Sequence, residues 1–166
     1  MNPAMTNPFL NDPDRHEIWE MLVQRDTDAF LSQNWEMVKD DFIAEGFFGI
    51  DGRTLANIDS WRMTFPNLET YRDFWLSQAA DFAKSSFRSD ARVALYEATT
   101  LRDIEITADV ALAHKKFDGS LEETNGHRIR LLWQTLYVCR KVSGRWKLAA
   151  FAGYLPHGSE HPHPPA

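Results

Sequence analysis

The chain has one cysteine, Cys139, among 166 residues. A lone thiol cannot close an internal disulfide, so packing alone must hold the fold. Positive charge is also scarce. Eighteen Lys and Arg stand against 24 Asp and Glu, a net charge of −6. That balance argues against nucleic acid and anionic membranes as partners, because both need clustered cations. No apolar run approaches the ~20 residues of a membrane-spanning helix. The opening residues MNPAMTNPFL lack the basic start and apolar stretch of a signal peptide, so a cytoplasmic protein is expected. There is no Gly-rich phosphate loop, no paired-cysteine zinc motif and no Gly-x-Ser-x-Gly elbow. His157, His161 and His163 lack the fixed spacing of a structural metal site, so neither metal nor cofactor is expected.

Aromatic residues, by contrast, are plentiful: six Trp and eleven Phe. Such rings can fill a core or line a cavity. The length suits one domain over residues 12–156, after a flexible arm at 1–11 and before a disordered His/Pro tail at 157–166. Asp12-Pro13-Asp14 is a helix start: a capping acid, a proline at the first helical position and an acid for the dipole. Ile18, Leu22 and Ala29, flanked by Trp19, Val23 and Phe30, make a wide helical stripe. Asn34 caps a short second helix carrying Trp35, Val38 and Phe42, and Gly46 ends it. Phe47 to Ile50 predicts a short strand turned by Asp51-Gly52, with residues 52–66 a loop holding Trp61. A third helix starts near Asn67 and shows Leu68, Tyr71, Trp75, Ala79 and Phe82 on one face.

From Arg92 the period becomes two. One or two strands are expected over Val93 to Thr107, another over Asp109 to Phe117, then a polar loop at 118–127. A hairpin closes the pattern. Ile129, Leu131, Trp133, Thr135, Tyr137 and Cys139 share a face of its first strand; Trp146, Leu148, Ala150, Ala152 and Tyr154 share a face of its second. Ser143-Gly144 supplies the turn. Cys139 on that apolar face predicts a buried, inert thiol.

This order resembles the nuclear transport factor 2-like superfamily, in its SnoaL-like (polyketide-cyclase-like) branch. NWEMVKDDFIAEGFFGIDG is similar to the family's second helix and first strand, FPNLETYRDFW to its third-helix opening, and QTLYVCRKVSGRWKLAAF to its closing hairpin. The resemblance spans roughly residues 13–155. It implies an α+β, cystatin-like cone, with three N-terminal helices packed on a curved antiparallel sheet. Relatives include isomerases, dehydratases, cyclases, epoxide hydrolases and non-catalytic modules, so fold alone does not give function.

Within such a cone, Trp19, Trp61, Tyr71, Trp75, Trp133, Thr135, Tyr137, Ala150, Ala152 and Tyr154 are the candidate pocket, the two alanines leaving room for a ligand. The same rings could instead simply fill the cone. Asp51 is the first acid/base candidate, near where the steroid-isomerase relatives place their base. Ile50 could hold that place, and Asp-Gly is equally a turn pair. His114 is the second, although Ala111 and Ala113 fit the inner face better and would turn it outward with Leu112. Asp59, Asp103 and Glu105 read as solvated acids. Two functions stay open: a cofactor-free lyase, isomerase or cyclase for a small apolar or aromatic molecule, or a non-catalytic ligand-binding or assembly module. Leu132, Leu136, Val138 and Phe151 alternate outward and predict a homodimer through the sheet.

Overall fold

Asp12 opens the helical layer. In the computed structural model, which describes residues 2–157, its carboxylate accepts the Arg15 N–H at 3.1 Å and Pro13 occupies the first turn. The helix runs as α1 (Pro13–Trp19), widens into a π-helical stretch (Glu20–Arg25) and continues as α2 (Asp26–Leu31), forming one rod. Ile18, Met21, Leu22 and Val23 on this rod bury against Ala111, Ala113, Cys139, Trp146 and Leu148. The small residues let the rod approach the sheet closely. Each large apolar side chain buried here contributes about 1.5–3 kcal/mol.

Two helices complete the layer. In α3 (Leu68–Ala83) the Asn67 side chain accepts the Thr70 N–H at 2.9 Å, as the cap pattern predicts. In α4 (Ala91–Ala98) Asp90 accepts the N–H groups of Arg92 and Val93. The sheet has the order β2-β1-β6-β5-β4-β3, with β1 (Phe48–Asp51) parallel to β6 (Arg145–Leu155) and every other pair antiparallel. The remaining strands are β2 (Arg62–Phe65), β3 (Thr99–Thr107), β4 (Val110–Glu122) and β5 (Arg128–Val142). The architecture is therefore α+β, three helical units on a mixed, mostly antiparallel open sheet.

Several expected elements differ. Residues 35–42 form only 3-10 turns, Trp35–Met37 and Lys39–Asp41, because the sheet captures the next residues: Phe42 bridges Leu148, and the Ile43 N–H donates to the Leu148 carbonyl at 2.8 Å. The 52–66 segment is not all loop. β2 pairs with β1, but only Phe65 of its four residues is buried, so the edge strand shows no alternation. Helix α4 stands where a strand was expected to begin, since its Asp90 cap overrides the apparent alternation of Val93 and Leu95. β4 runs on to Glu122 through the expected polar loop. Gly119 permits this, because a Cβ there would lie 2.6 Å from the Ala98 Cβ. The supposedly loose arm is docked within residues 2–11: Asn7 is buried and its amide donates to the His16 carbonyl at 3.0 Å. The proposed tail, apart from His157, lies outside the described residues.

The hairpin turn is as expected, with Ser143 and Gly144 both at positive φ. β6, however, changes phase twice. Val138 pairs with Ala150 but Cys139 with Leu148, and Leu136 pairs with Ala152 but Gln134 with Leu155. Each step inserts an extra β6 residue, which is a β-bulge. The first sends Phe151 inward to pack on Tyr71 at 4.8 Å, so Phe151 is not part of an outer patch.

Asp41 clamps these layers. It is 2% exposed, and it accepts Arg25 Nε at 2.9 Å, Arg25 Nη2 at 2.8 Å and Arg145 Nη2 at 2.6 Å. The clamp joins the rod, the 3-10 turns and the hairpin tip. Both arginines keep contact with water, so the pairing is not fully desolvated. Asp41→Ala is expected to lower unfolding free energy by about 2–3 kcal/mol, and Arg145→Ala by about 1 kcal/mol, read from urea midpoints.

Candidate functional site: an aromatic cavity with one charged end

The rod, α3 and the inner faces of β4, β5 and β6 enclose a cavity of about 500 Å³. Alternation along β5 brings Leu131, Trp133, Thr135 and Tyr137 into its wall, in the phase expected from the sequence. Helical spacing brings in Tyr71, Phe74, Trp75 and Gln78 from α3. The second β6 bulge places Tyr154 at φ +50 and turns its ring to Trp133, at 5.3 Å between centroids. Trp133 also packs against Phe117, tilted, at 4.7 Å between centroids. These ring pairs are each worth about 0.5–1.5 kcal/mol and make a stiff apolar wall.

Of the candidate residues, Tyr71, Trp75, Trp133, Thr135, Tyr137 and Tyr154 line this cavity together. Ala150 and Ala152 do not. The bulge at Ala149 reverses the strand's phase, so Phe151 and Gly153 take the inner positions and the two alanines pair outward beside Val138 and Leu136. Trp19 is buried in the main core, away from the cavity wall. Trp61 borders a second hollow on the far side of the sheet, where His114 also lies. The His114 ring faces Glu105 at 3.4 Å and not the aromatic cavity. Asp51 is likewise outside it; its Oδ1 accepts the Arg53 N–H at 2.8 Å, which makes it the anchor of the Asp-Gly turn.

The polar end is built from residues not singled out as candidates. Lys115 is 1% exposed, on the inner face of β4. Its Nζ donates to the Leu22 carbonyl and to Asp26 Oδ2 at 3.2 Å. It also lies 5.1 Å from the Phe117 ring centroid and 6.0 Å from that of Tyr137. Asp26 Oδ1 accepts the Trp75 indole N–H at 3.3 Å. The carboxylate is thus gripped from two sides while still lining the cavity. A signal for both residues was present. Ala111 and Ala113 set the inner phase of β4, and Lys115 continues it. Asp26 follows Leu22 by four residues on the rod's buried stripe.

Burial shapes the phenols around this pair. It holds Tyr71 and Tyr137 well above the ordinary tyrosine range, with further upward pushes from Asp26 and neighbouring tyrosines. Burial, then Asp51 and Asp26, pushes Tyr154 up to about 12. Burial likewise moves the Cys139 thiol up to about 12, as an inert buried cysteine requires. Among the described residues, no group of three His, Cys, Asp or Glu could hold a metal ion.

No protein-family profile matches the sequence, and no curated protein matches it. Solved structures do. A conserved protein from Planctomyces limnophilus superposes with a TM-score of 0.57 at 13% identity, over 86% of this chain and 95% of that one. A nuclear transport factor 2-like superfamily protein from Salmonella enterica gives 0.55 at 13% identity, over 90% and 95%. A ketosteroid isomerase-like protein from Erwinia carotovora atroseptica gives 0.51 at 14% identity, over 86% and 95%. The chain has the nuclear transport factor 2-like fold.

All four tyrosines are shifted upward, Tyr96 also to about 12. Their folded forms hold the proton more tightly than the unfolded chain, whose tyrosines ionise near pH 10. The stability they contribute is full below that pH and is lost as pH rises through the folded values. Phenolate absorbance is expected to stay nearly silent to about pH 11 and then rise together with loss of the far-UV circular dichroism signal. A smooth four-tyrosine titration around pH 10 in folded protein would contradict this burial.

Proposed function

We propose that this is a cofactor-free acid–base enzyme of the SnoaL-like kind, an isomerase, lyase or cyclase. Its substrate is a small, flat, mostly apolar molecule carrying one oxygen function. The observation behind this reading is the ion pair of buried Lys115 with half-buried Asp26 in the wall of an aromatic cavity. The rings hold the apolar body of the ligand by contact area. Among the described residues, Asp26 is the one carboxylate oriented by two buried donors beside the three cavity tyrosines, and it is the base. Tyr137 remains a protonated phenol across physiological pH, so it can donate to an oxygen that gains negative charge as the proton leaves. Lys115 and Trp75 position the carboxylate. The fold's likeness to a protein described as ketosteroid isomerase-like is compatible with proton transfer of this kind, though at 14% identity it speaks to fold only.

One observation favours the binding-module alternative. Both Asp26 oxygens already have partners, which suits a fixed structural role. Native mass spectrometry of the purified protein against a panel of aromatic ketones and alcohols separates the two. With a ligand in hand, Asp26→Asn is expected to cut turnover about 10²–10⁴-fold while binding changes little. Turnover untouched by Asp26→Asn removes Asp26 as base. A ligand that binds tightly but is never converted by the wild type makes the protein a binding module.

A further inference from the structure

The proposed acid–base role uses Lys115 only to position Asp26, yet its amine is the one nucleophilic nitrogen in the cavity wall not tied to solvent. Arg130, the other cation there, is engaged at the surface with Asp118 at 2.7 Å and with the Gly119 carbonyl. Lys115 Nζ has two acceptors, Leu22 O and Asp26 Oδ2, for three N–H groups. The charges of Lys115 and Asp26 cancel, so the polar end is suited to a neutral oxygen function and not to an anion. A lysine desolvated in an apolar cavity is a setting in which amines attack carbonyl carbon, and the adjacent carboxylate can take up and return the proton.

We infer that Lys115 forms a reversible imine with neutral aromatic aldehydes or unhindered ketones bound in the cavity. This rests on the reading of the cavity as a ligand site. The ammonium first passes a proton to Asp26 Oδ2, 3.2 Å away. The freed lone pair then attacks the carbonyl carbon. The new C–N bond forms as the C=O π pair moves to oxygen; the oxygen takes the proton held by Asp26, and Asp26 takes one back from the now cationic nitrogen, giving the neutral carbinolamine. Protonation of that hydroxyl by Asp26 and departure of water leave the iminium, and hydrolysis reverses each step. No oxidant or reductant takes part. The cavity's rings shield the iminium from bulk water, and the carboxylate faces its charge.

The full chain is incubated with 2-naphthaldehyde and sodium cyanoborohydride, which reduces an iminium to a stable secondary amine. Intact mass and peptide mapping follow. Lys116, the next residue, is half-buried and paired loosely with Asp103 at 3.6 Å, and it serves as the internal control. Lys115 is expected to be labelled about tenfold faster than Lys116, because binding holds the aldehyde beside it. Lys115→Arg keeps the positive charge and removes the nucleophile, and should abolish the fast phase. Binding of 2-naphthalenemethanol, which cannot form an imine, is measured in parallel by calorimetry. If the alcohol binds but labelling is spread evenly over surface lysines, or is unchanged in Lys115→Arg, the imine is overturned and the cavity stands. If the alcohol does not bind and Lys115 is unlabelled, both the imine and the ligand site fail.

Discussion

A buried ammonium is the constraint around which this fold is arranged. Lys115 is almost wholly buried, and an uncompensated charge at that depth costs several kcal/mol. It must therefore find acceptors on whatever packs against β4, and the rod supplies two of them one turn apart, the Leu22 carbonyl and the Asp26 carboxylate. The rod is widened into π geometry over Glu20–Arg25, where a lysine head meets a main-chain carbonyl. These bonds set the rod's register along the sheet. Asp26 is in turn held by Trp75, so the same bond network reaches α3 and sets the third wall of the cavity.

The cavity's open volume comes from β6. A strand that kept strict alternation would have carried Trp146, Leu148, Ala150, Ala152 and Tyr154 down one face. Two bulges break that face into three. Trp146 and Leu148 pack in the main core, with the Trp146 indole N–H bonded to Asp14 at 2.9 Å. Phe151, Gly153 and Tyr154 line the cavity. Gly153 matters there because a Cβ would lie 3.1 Å from the Phe151 ring. Room for a ligand thus arises from a main-chain irregularity and not from small side chains on a regular strand.

Legibility from sequence followed the same division. β5 was readable because it pairs with β4 without a register shift from Arg128 to Arg140, so every second residue keeps one face, and its cavity face, Trp133, Thr135 and Tyr137, came with it. The caps at Asp12 and Asn67 were readable because a single side chain satisfies the first N–H groups. What escaped was decided by partners distant in the chain. A bulge in β6 is a relation between two strands, and no residue of Ala149 to Tyr154 announces it. β2 is an edge with one buried residue, so it has no pattern to show. Lys115 was passed over because polarity is the usual guide to facing, and here the phase of Ala111 and Ala113 was the better guide. Asp51 and His114 drew attention by residue type, and type alone does not place a side chain in a cavity.

The parallel pairing of β1 with β6 bears on how the molecule is made. Phe48 sits beside Ala150 and Asp51 beside Gly153, so the early strand gains its place in the sheet only when the last strand arrives. During synthesis the rod, β1 and β2 emerge long before their partner. Phe47 and Phe65, which end in the core against Phe151, have no surface to bury them until then. Pairings this distant in sequence form slowly, because the intervening chain must be closed first. The aromatic wealth that shapes the finished cavity is therefore a hazard for the nascent chain, and its dependence on holding chaperones would be set by β6 and not by the helices.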